Sequence, residues 1–304
     1  MLNSDVAKEF IFDCRMRKLS ERTIHGYQSN LDRMFRYIER EYNITDLEDT
    51  DASAIVDYLR YLTSLKRSEL YINGLIKSFR VYFKYCYNER YITMNPMNKV
   101  KFQKEPETLI NTFTDAEVRK MIGYYKGTRF LDLRNQLIML LLFDTGIRNS
   151  ELCGLEMDRL RDRYFTIVGK GNKERALPIS PAINKTLIKY LRVRENYLRD
   201  KTNYEVQYLL FSQNGRKLTV EAIEHVVKQC GDGCHVRKSI RVSPHTCRHY
   251  YAQTQLKNGC DLYTLSRLMG HSNINITRTY LKSMTDESVL DIGIKNSPLM
   301  NLHR

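Results

Sequence analysis

The sequence predicts a mainly α protein of two domains, with one small β-sheet in the second. Three observations lead there. Apolar residues recur at helical spacing through the first hundred positions. A polar, aperiodic stretch holding a proline, Val100 to Glu107, then interrupts the pattern. Further on, two short β-like runs flank Gly169-Lys170-Gly171-Asn172, a hairpin signal. At 304 residues the chain is long enough for two cores of ordinary size. We expect a helical domain over 1–103, a linker over 104–112 and a second domain over 113–304.

Four helices are expected in the first domain. Ser4 or Asp5 can cap the first, with Val6, Phe10 and Ile11 on one face. Ser20 is a natural N-cap for the second, whose Ile24, Tyr27, Leu31, Met34, Phe35 and Ile38 form an apolar stripe. Thr50-Asp51 opens the third, through Ile55, Val56, Leu59 and Leu62. The fourth runs from about Ser68 to Asn88 and stops before Asn95-Pro96, where proline disfavours helix at the residue before it. Basic residues lie between the apolar positions: Arg15, Arg17, Lys18 and Arg22, then Lys77, Arg80 and Lys84. Singly these read as solvated helix faces. As a set they are candidate phosphate contacts.

In the second domain, Thr114 with Glu117 three residues on is a capping box. Leu133 to Phe143 is an apolar core helix broken at Gly146, and Ser150-Glu151-Leu152 begins another. Arg148 therefore sits at an interhelical turn, a rigid place to present a guanidinium, and Glu151 can hold it. Ala182 to about Asn196 and Leu218 to Val227 read as helices around a short buried element, Tyr208 to Phe211. Lys170, Lys173 and Arg175 stand on or beside the hairpin turn as candidate nucleic-acid contacts. In Ser243-Pro-His-Thr-Cys-Arg-His, His245 and Arg248 are three apart and share a helix face. His271 follows Gly270, and Tyr280 lies nine residues on, about two and a half turns into a new helix. Cations, imidazoles and a phenol are the groups needed to handle a phosphodiester with a tyrosine nucleophile.

Composition supports that direction. The net charge is +14, which points to a polyanionic partner. It is uneven: 18 Lys+Arg against 15 Asp+Glu in residues 1–105, and 31 against 20 in 106–304. No run approaches the ~20 apolar residues of a membrane span, and the N-terminus lacks the pattern of a signal peptide. Seven scattered cysteines suit reduced thiols and a cytoplasmic setting. Cys230-x3-Cys234-His235 lacks a matching second pair at zinc spacing, so incidental thiols are expected and no metal.

Taken together, Thr145-Gly-Ile-Arg-Asn-Ser-Glu-Leu, Gly169-Lys-Gly-Asn-Lys-Glu-Arg, Ser243-Pro-His-Thr-Cys-Arg-His and Leu268-Met-Gly-His resemble the motifs of the tyrosine recombinase (phage integrase) family, in its Xer-like or small mobile-element branch. Cys247 departs from the aliphatic residue usual there, and Gln253 to Gln255 from a small-residue pattern. The resemblance implies a SAM-like core-binding helical bundle followed by a catalytic domain. It implies site-specific DNA cleavage and rejoining through a 3′-phosphotyrosyl intermediate, with no cofactor. It casts Tyr280 as nucleophile, Arg148, Arg248 and His271 as phosphate ligands, His245 as general base and Lys170 as general acid. Glu151 is an orienting residue. The implied partners are double-stranded DNA with inverted half-sites and a homotetrameric synapse, or one shared with a second recombinase, at the nucleoid. Ser288 to Ile294 can dock on a neighbouring subunit or pack on its own domain. Two rivals share these residues: a type IB topoisomerase, and a catalytically silent DNA-binding regulator on the same fold.

Overall fold

The computed structural model describes residues 1–106, 109–169, 174–199 and 207–299. It divides into two compact units, Met1–Glu107 and Thr108–Arg304.

The first unit is built of four helices: α1 (Asn3–Met16), α2 (Glu21–Tyr42), α3 (Ala52–Ser64) and α4 (Glu69–Asn88). Ser20, Asp51 and Ser68 cap the last three, each side chain accepting a backbone N–H three residues on. Each such cap contributes about 1 kcal/mol. The start of α1 differs from the capping expectation. It begins two or three residues earlier at Asn3, with Leu2 at the N-cap and no side-chain cap. Tertiary bonds replace the cap: the Asn3 N–H donates to the Thr45 carbonyl at 2.9 Å, and its amide pairs with the Thr50 hydroxyl at 3.2 Å. The core is aromatic-rich, with Phe10, Phe79, Tyr82 and Phe83 fully buried. A single 3₁₀ turn, Pro96–Lys99, follows α4. Beyond it the irregular segment is tied down: Asn73 holds the Gln103 backbone in both directions, at 2.8 and 2.9 Å.

The second unit opens with α5 (Asp115–Ile122), capped by Thr114 and Glu117 in a reciprocal box. Next comes α6 (Phe130–Thr145), whose Leu137, Ile138, Met139, Leu141 and Leu142 are wholly buried. Gly146, in the left-handed conformation at φ +60°, ends it, and α7 (Asn149–Cys153) follows. Strands β1 (Tyr164–Val168) and β2 (Glu174–Pro178) pair antiparallel, with Ile167 opposite Arg175. Then come α8 (Pro181–Leu198), α9 (Val220–Gly233), α10 (Pro244–Lys257), α11 (Leu262–Met269), α12 (Ile274–Arg278) and α13 (Asp286–Lys295). The fold is mainly helical with one small two-stranded sheet.

Tyr280 is not deep in a helix. Helix α12 is five residues long and passes into a 3₁₀ turn, Thr279–Ser283, that carries the tyrosine. Ile274, Ile276, Thr277 and Thr279 are β-branched, stiff at χ1 and poor at sustaining an α-helix. No helix among the described residues is long and apolar enough to cross a membrane.

Candidate active site

Arg148 lies at the N-terminus of α7, just after the α6 stop. Glu151, one turn in, accepts the Arg148 backbone N–H at 2.9 Å and its Nη1 at 2.8 Å. The same carboxylate takes both terminal nitrogens of Arg175, on β2, at 2.8 Å each. Burial favours the neutral acid, but the hydrogen bonds and charge of Arg175 and the bonds from Arg148 prevail. They hold the Glu151 carboxyl down at about 2. Arg175 Nε also donates to the Leu268 carbonyl at 3.0 Å, and Arg148 Nη2 to the Gly270 carbonyl at 2.6 Å. One carboxylate thus fixes two guanidiniums and pins both to the end of α11.

Ser243 and Pro244 start α10. The serine hydroxyl accepts the Thr246 N–H, and proline occupies the first helical position, where no N–H is needed. Arg248, on the second turn, is 5% exposed. It donates to the Gly146 carbonyl, to the Met269 carbonyl at 2.7 Å and to His271 Nε2 at 2.9 Å. Because a guanidinium only donates, Nε2 of His271 must accept. Its hydrogen therefore sits on Nδ1, 2.7 Å from the fully buried Thr277 hydroxyl. Burial, and then the charges of Arg248, Arg148 and Arg175, push His271 down to about 4, so it is neutral at pH 7. Burial and the Arg148 charge lower Arg248 to about 10, where it remains a cation. Around Arg248 the other interacting charges are Arg148, Arg175 and Glu151, with the Tyr280 phenol beside them. Three guanidiniums face one carboxylate, an arrangement that favours an added anion.

Tyr280 is 3% exposed and packs with Tyr251, Leu256, Leu265 and Met269. Burial raises its hydroxyl pKa, while Arg248 and Arg148 pull against that. The hydroxyl is hydrogen-bonded to Nδ1 of His249 at 2.9 Å. His245, one turn back on α10, is exposed and packs edge-on against that ring, with centroids 4.1 Å apart.

The structure therefore gathers Arg148, Glu151, Arg248, His271 and Tyr280 into one site, with His245 on the same helix as Arg248. Lys170 and Lys173 lie outside the described residues. Arg175 is corrected from a DNA contact to an interior support. Its side chain is only 10% exposed, and its guanidinium is committed to Glu151 and Leu268. Arg15, Arg17, Lys18, Arg22, Lys77 and Lys84 are exposed in the first unit. Arg80 there is partly buried, its guanidinium 4.2 Å from the Phe102 ring centroid and bonded to the Val100 carbonyl. Sequence reasoning missed His249, although it follows Arg248 directly and shares a helix face with His245 four positions back. Cys230 donates its thiol to the Met121 carbonyl, and no group of three or more His, Cys, Asp or Glu among the described residues is placed to hold a metal ion.

Residues 111–287 match the phage integrase family, and the chain belongs to that family. It is similar to the tyrosine recombinase XerD of Listeria monocytogenes serovar 1/2a, 29% identical over 280 residues, which covers 91% of this chain and 93% of the relative. The tyrosine recombinase XerA of Thermococcus onnurineus is 31% identical over 269 residues, 85% of this chain and 86% of that protein. Among solved structures, the XerH site-specific recombinase in a post-cleavage complex with its palindromic difH substrate superposes with a TM-score of 0.75. The alignment, at 19% identity, covers 92% of this chain and 82% of the other. A lambda integrase dimer bound to a core site gives 0.72 at 17% identity, over 92% and 95%.

Proposed function

We propose that this chain is a site-specific DNA recombinase that cuts and rejoins strands through Tyr280. The observation that carries the reading is the excess of fixed positive charge beside a phenol. Arg148 and Arg175 share one carboxylate, Arg248 stands within reach of the same charges, and Tyr280 interacts with Arg148 and Arg248. Such a surplus favours an anion, and a phosphodiester offers oxygens that a guanidinium fork can bind in pairs. Tyr280 Oη attacks the phosphorus, the bond to the 5′-oxygen breaks, and the strand is held as a 3′-phosphotyrosyl ester. A 5′-hydroxyl from another strand reverses the step, so no external energy source is needed. Arg148 and Arg248 bear the charge that gathers on the non-bridging oxygens, each donor being worth ~10²–10³ in rate, and neutral His271 holds the Arg248 guanidinium in place through Nε2. Lys170 protonates the departing 5′-oxygen, and an imidazole of α10 receives the phenolic proton.

The exposed Arg15, Arg17, Lys18, Arg22, Lys77 and Lys84 serve as phosphate contacts of a DNA-binding domain. The target is a duplex with inverted half-sites, and the working assembly is a tetramer of this chain or one shared with a second recombinase, at the nucleoid in the cytoplasm. The test is to recover a bound duplex from a random pool and place two copies in one supercoiled plasmid. The reading expects excision or inversion between the copies and no product with one copy deleted. Relaxation of a plasmid lacking the sequence, with no recombinant product, would instead favour a topoisomerase.

A further inference from the structure

The Tyr280 hydroxyl feels the charges of Arg248 and Arg148, and it also has a direct partner. Its hydrogen bond runs to Nδ1 of His249 at 2.9 Å, inside a pocket where the tyrosine is 3% exposed. A phenol is far more acidic than the N–H of a neutral imidazole. The phenol is therefore the donor and Nδ1 the acceptor, with the ring's hydrogen on Nε2. The groups facing the ring are His245 and Arg248 from its own helix and Tyr280 from the 3₁₀ turn. None is an anion, so nothing stabilises an imidazolium before substrate arrives. Burial, then His245 and Arg248, push the ring down to about 4, which keeps it neutral and able to accept. A phosphate bound at Arg148 and Arg248 would offset the positive charge that opposes protonation. His249 would then gain basicity when the nucleophile is needed.

We propose that His249 is a catalytic residue of the strand-cleavage step. Its Nδ1 holds the Tyr280 hydroxyl and receives its proton as the bond to phosphorus forms. The electron pair of the phenolic O–H becomes the new O–P bond, the P–O5′ bond breaks, and the proton ends on His249. In religation the same proton returns to the leaving tyrosine. The exposed His245, four residues earlier, is thereby released from the role of base. The inference rests on Tyr280 being the nucleophile.

The full-length protein is tested in single turnover on a nicked duplex of selected sequence, with sulfur in place of the bridging 5′-oxygen at the scissile position. The thiolate leaves without a proton, so the rate reports activation of the nucleophile and not the acid. His249→Phe keeps the ring and removes the acceptor. His249→Asn puts a carbonyl oxygen near the Nδ1 position, which holds the phenol but cannot carry its proton. General-base removal is expected to cost ~10²–10³-fold at pH 7. Both variants should show that loss with unchanged duplex affinity. Their rates should climb about tenfold per pH unit between pH 7 and 9, as the phenolate fraction does below its usual value of about 10, while the parent rate stays nearly flat. Cleavage by His249→Phe within about threefold of the parent would overturn the proposal, as would full rescue by His249→Asn. Should His249→Phe fail to fold, the pH slope of His249→Asn decides alone. Tyr280→Phe runs beside them. If it still forms an adduct, the nucleophile assignment fails; if it is inert while the His249 variants are normal, this inference fails alone.

Discussion

Glu151→Gln probes the support beneath the site. The carboxylate accepts four hydrogen bonds, two from Arg148 at 2.9 and 2.8 Å and two from Arg175 at 2.8 Å, and its side chain is 8% exposed. Glutamine keeps one oxygen but turns an NH2 toward a guanidinium and leaves the clustered arginines without their counter-charge. Depression from 4.5 to about 2 corresponds to about 3 kcal/mol at roughly 1.4 kcal/mol per unit. That agrees with the ~3–5 kcal/mol seen when one partner of a buried pair is removed. The sign is set by the lowered pKa: the contribution is complete above the ordinary carboxyl value of 4.5 and is lost progressively as pH falls from there to about 2. The assay is urea unfolding at pH 7 followed by circular dichroism, since the chain has no tryptophan. Hydrogen exchange identifies the transition of the second unit. A cycle with Arg175→Gln should return a large part of the loss as coupling. A destabilisation below about 1 kcal/mol, or no coupling to Arg175, would refute the view that this carboxylate organises the arginines.

Three other outcomes are expected. Gly270→Ala puts a side chain at φ +63°, with its methyl 2.9 Å from Arg175 Nη1. The left-handed backbone alone costs ~1–2 kcal/mol, and urea unfolding should show at least that, with a parallel fall in cleavage. Thr277→Val strands the Nδ1 hydrogen of His271 in a buried site, costing ~1–3 kcal/mol; the same melts and a single-turnover cleavage rate check it. His249 and His271 are both lowered to about 4, so the unfolded chain binds more protons than the folded one below about 6.5. Stability should therefore fall as pH drops from 6.5 toward 4, in the window where Glu151 is still ionised. A melting temperature constant across that range would contradict the buried neutral histidines.

Much of the fold was legible locally. Ser20, Ser68 and Thr114 announced their helices because a cap and an apolar stripe are both written in consecutive residues. The Gly146 stop was readable for the same reason, and it places Arg148. The start of α1 was not, since Asn3 is held by Thr45 and Thr50 from across the unit. Nor was the 3₁₀ turn under Tyr280, where short, β-branched α12 gives way to tertiary packing. Arg175 and His249 escaped for a related reason. A basic residue beside a hairpin and a second histidine in a motif look like surface chemistry. Only the approach of β2 to α7, and of the Tyr280 turn to α10, makes one a buried clamp and the other the partner of the phenol.

The most direct test of the account is to map the covalent bond. The protein is incubated with a nicked duplex of selected sequence that loses a short fragment on cleavage, then digested and sequenced by mass spectrometry. A 3′-phosphoryl nucleotide on the peptide holding Tyr280, absent in Tyr280→Phe, is the result expected. An adduct on any other residue, or one that survives Tyr280→Phe, would contradict it.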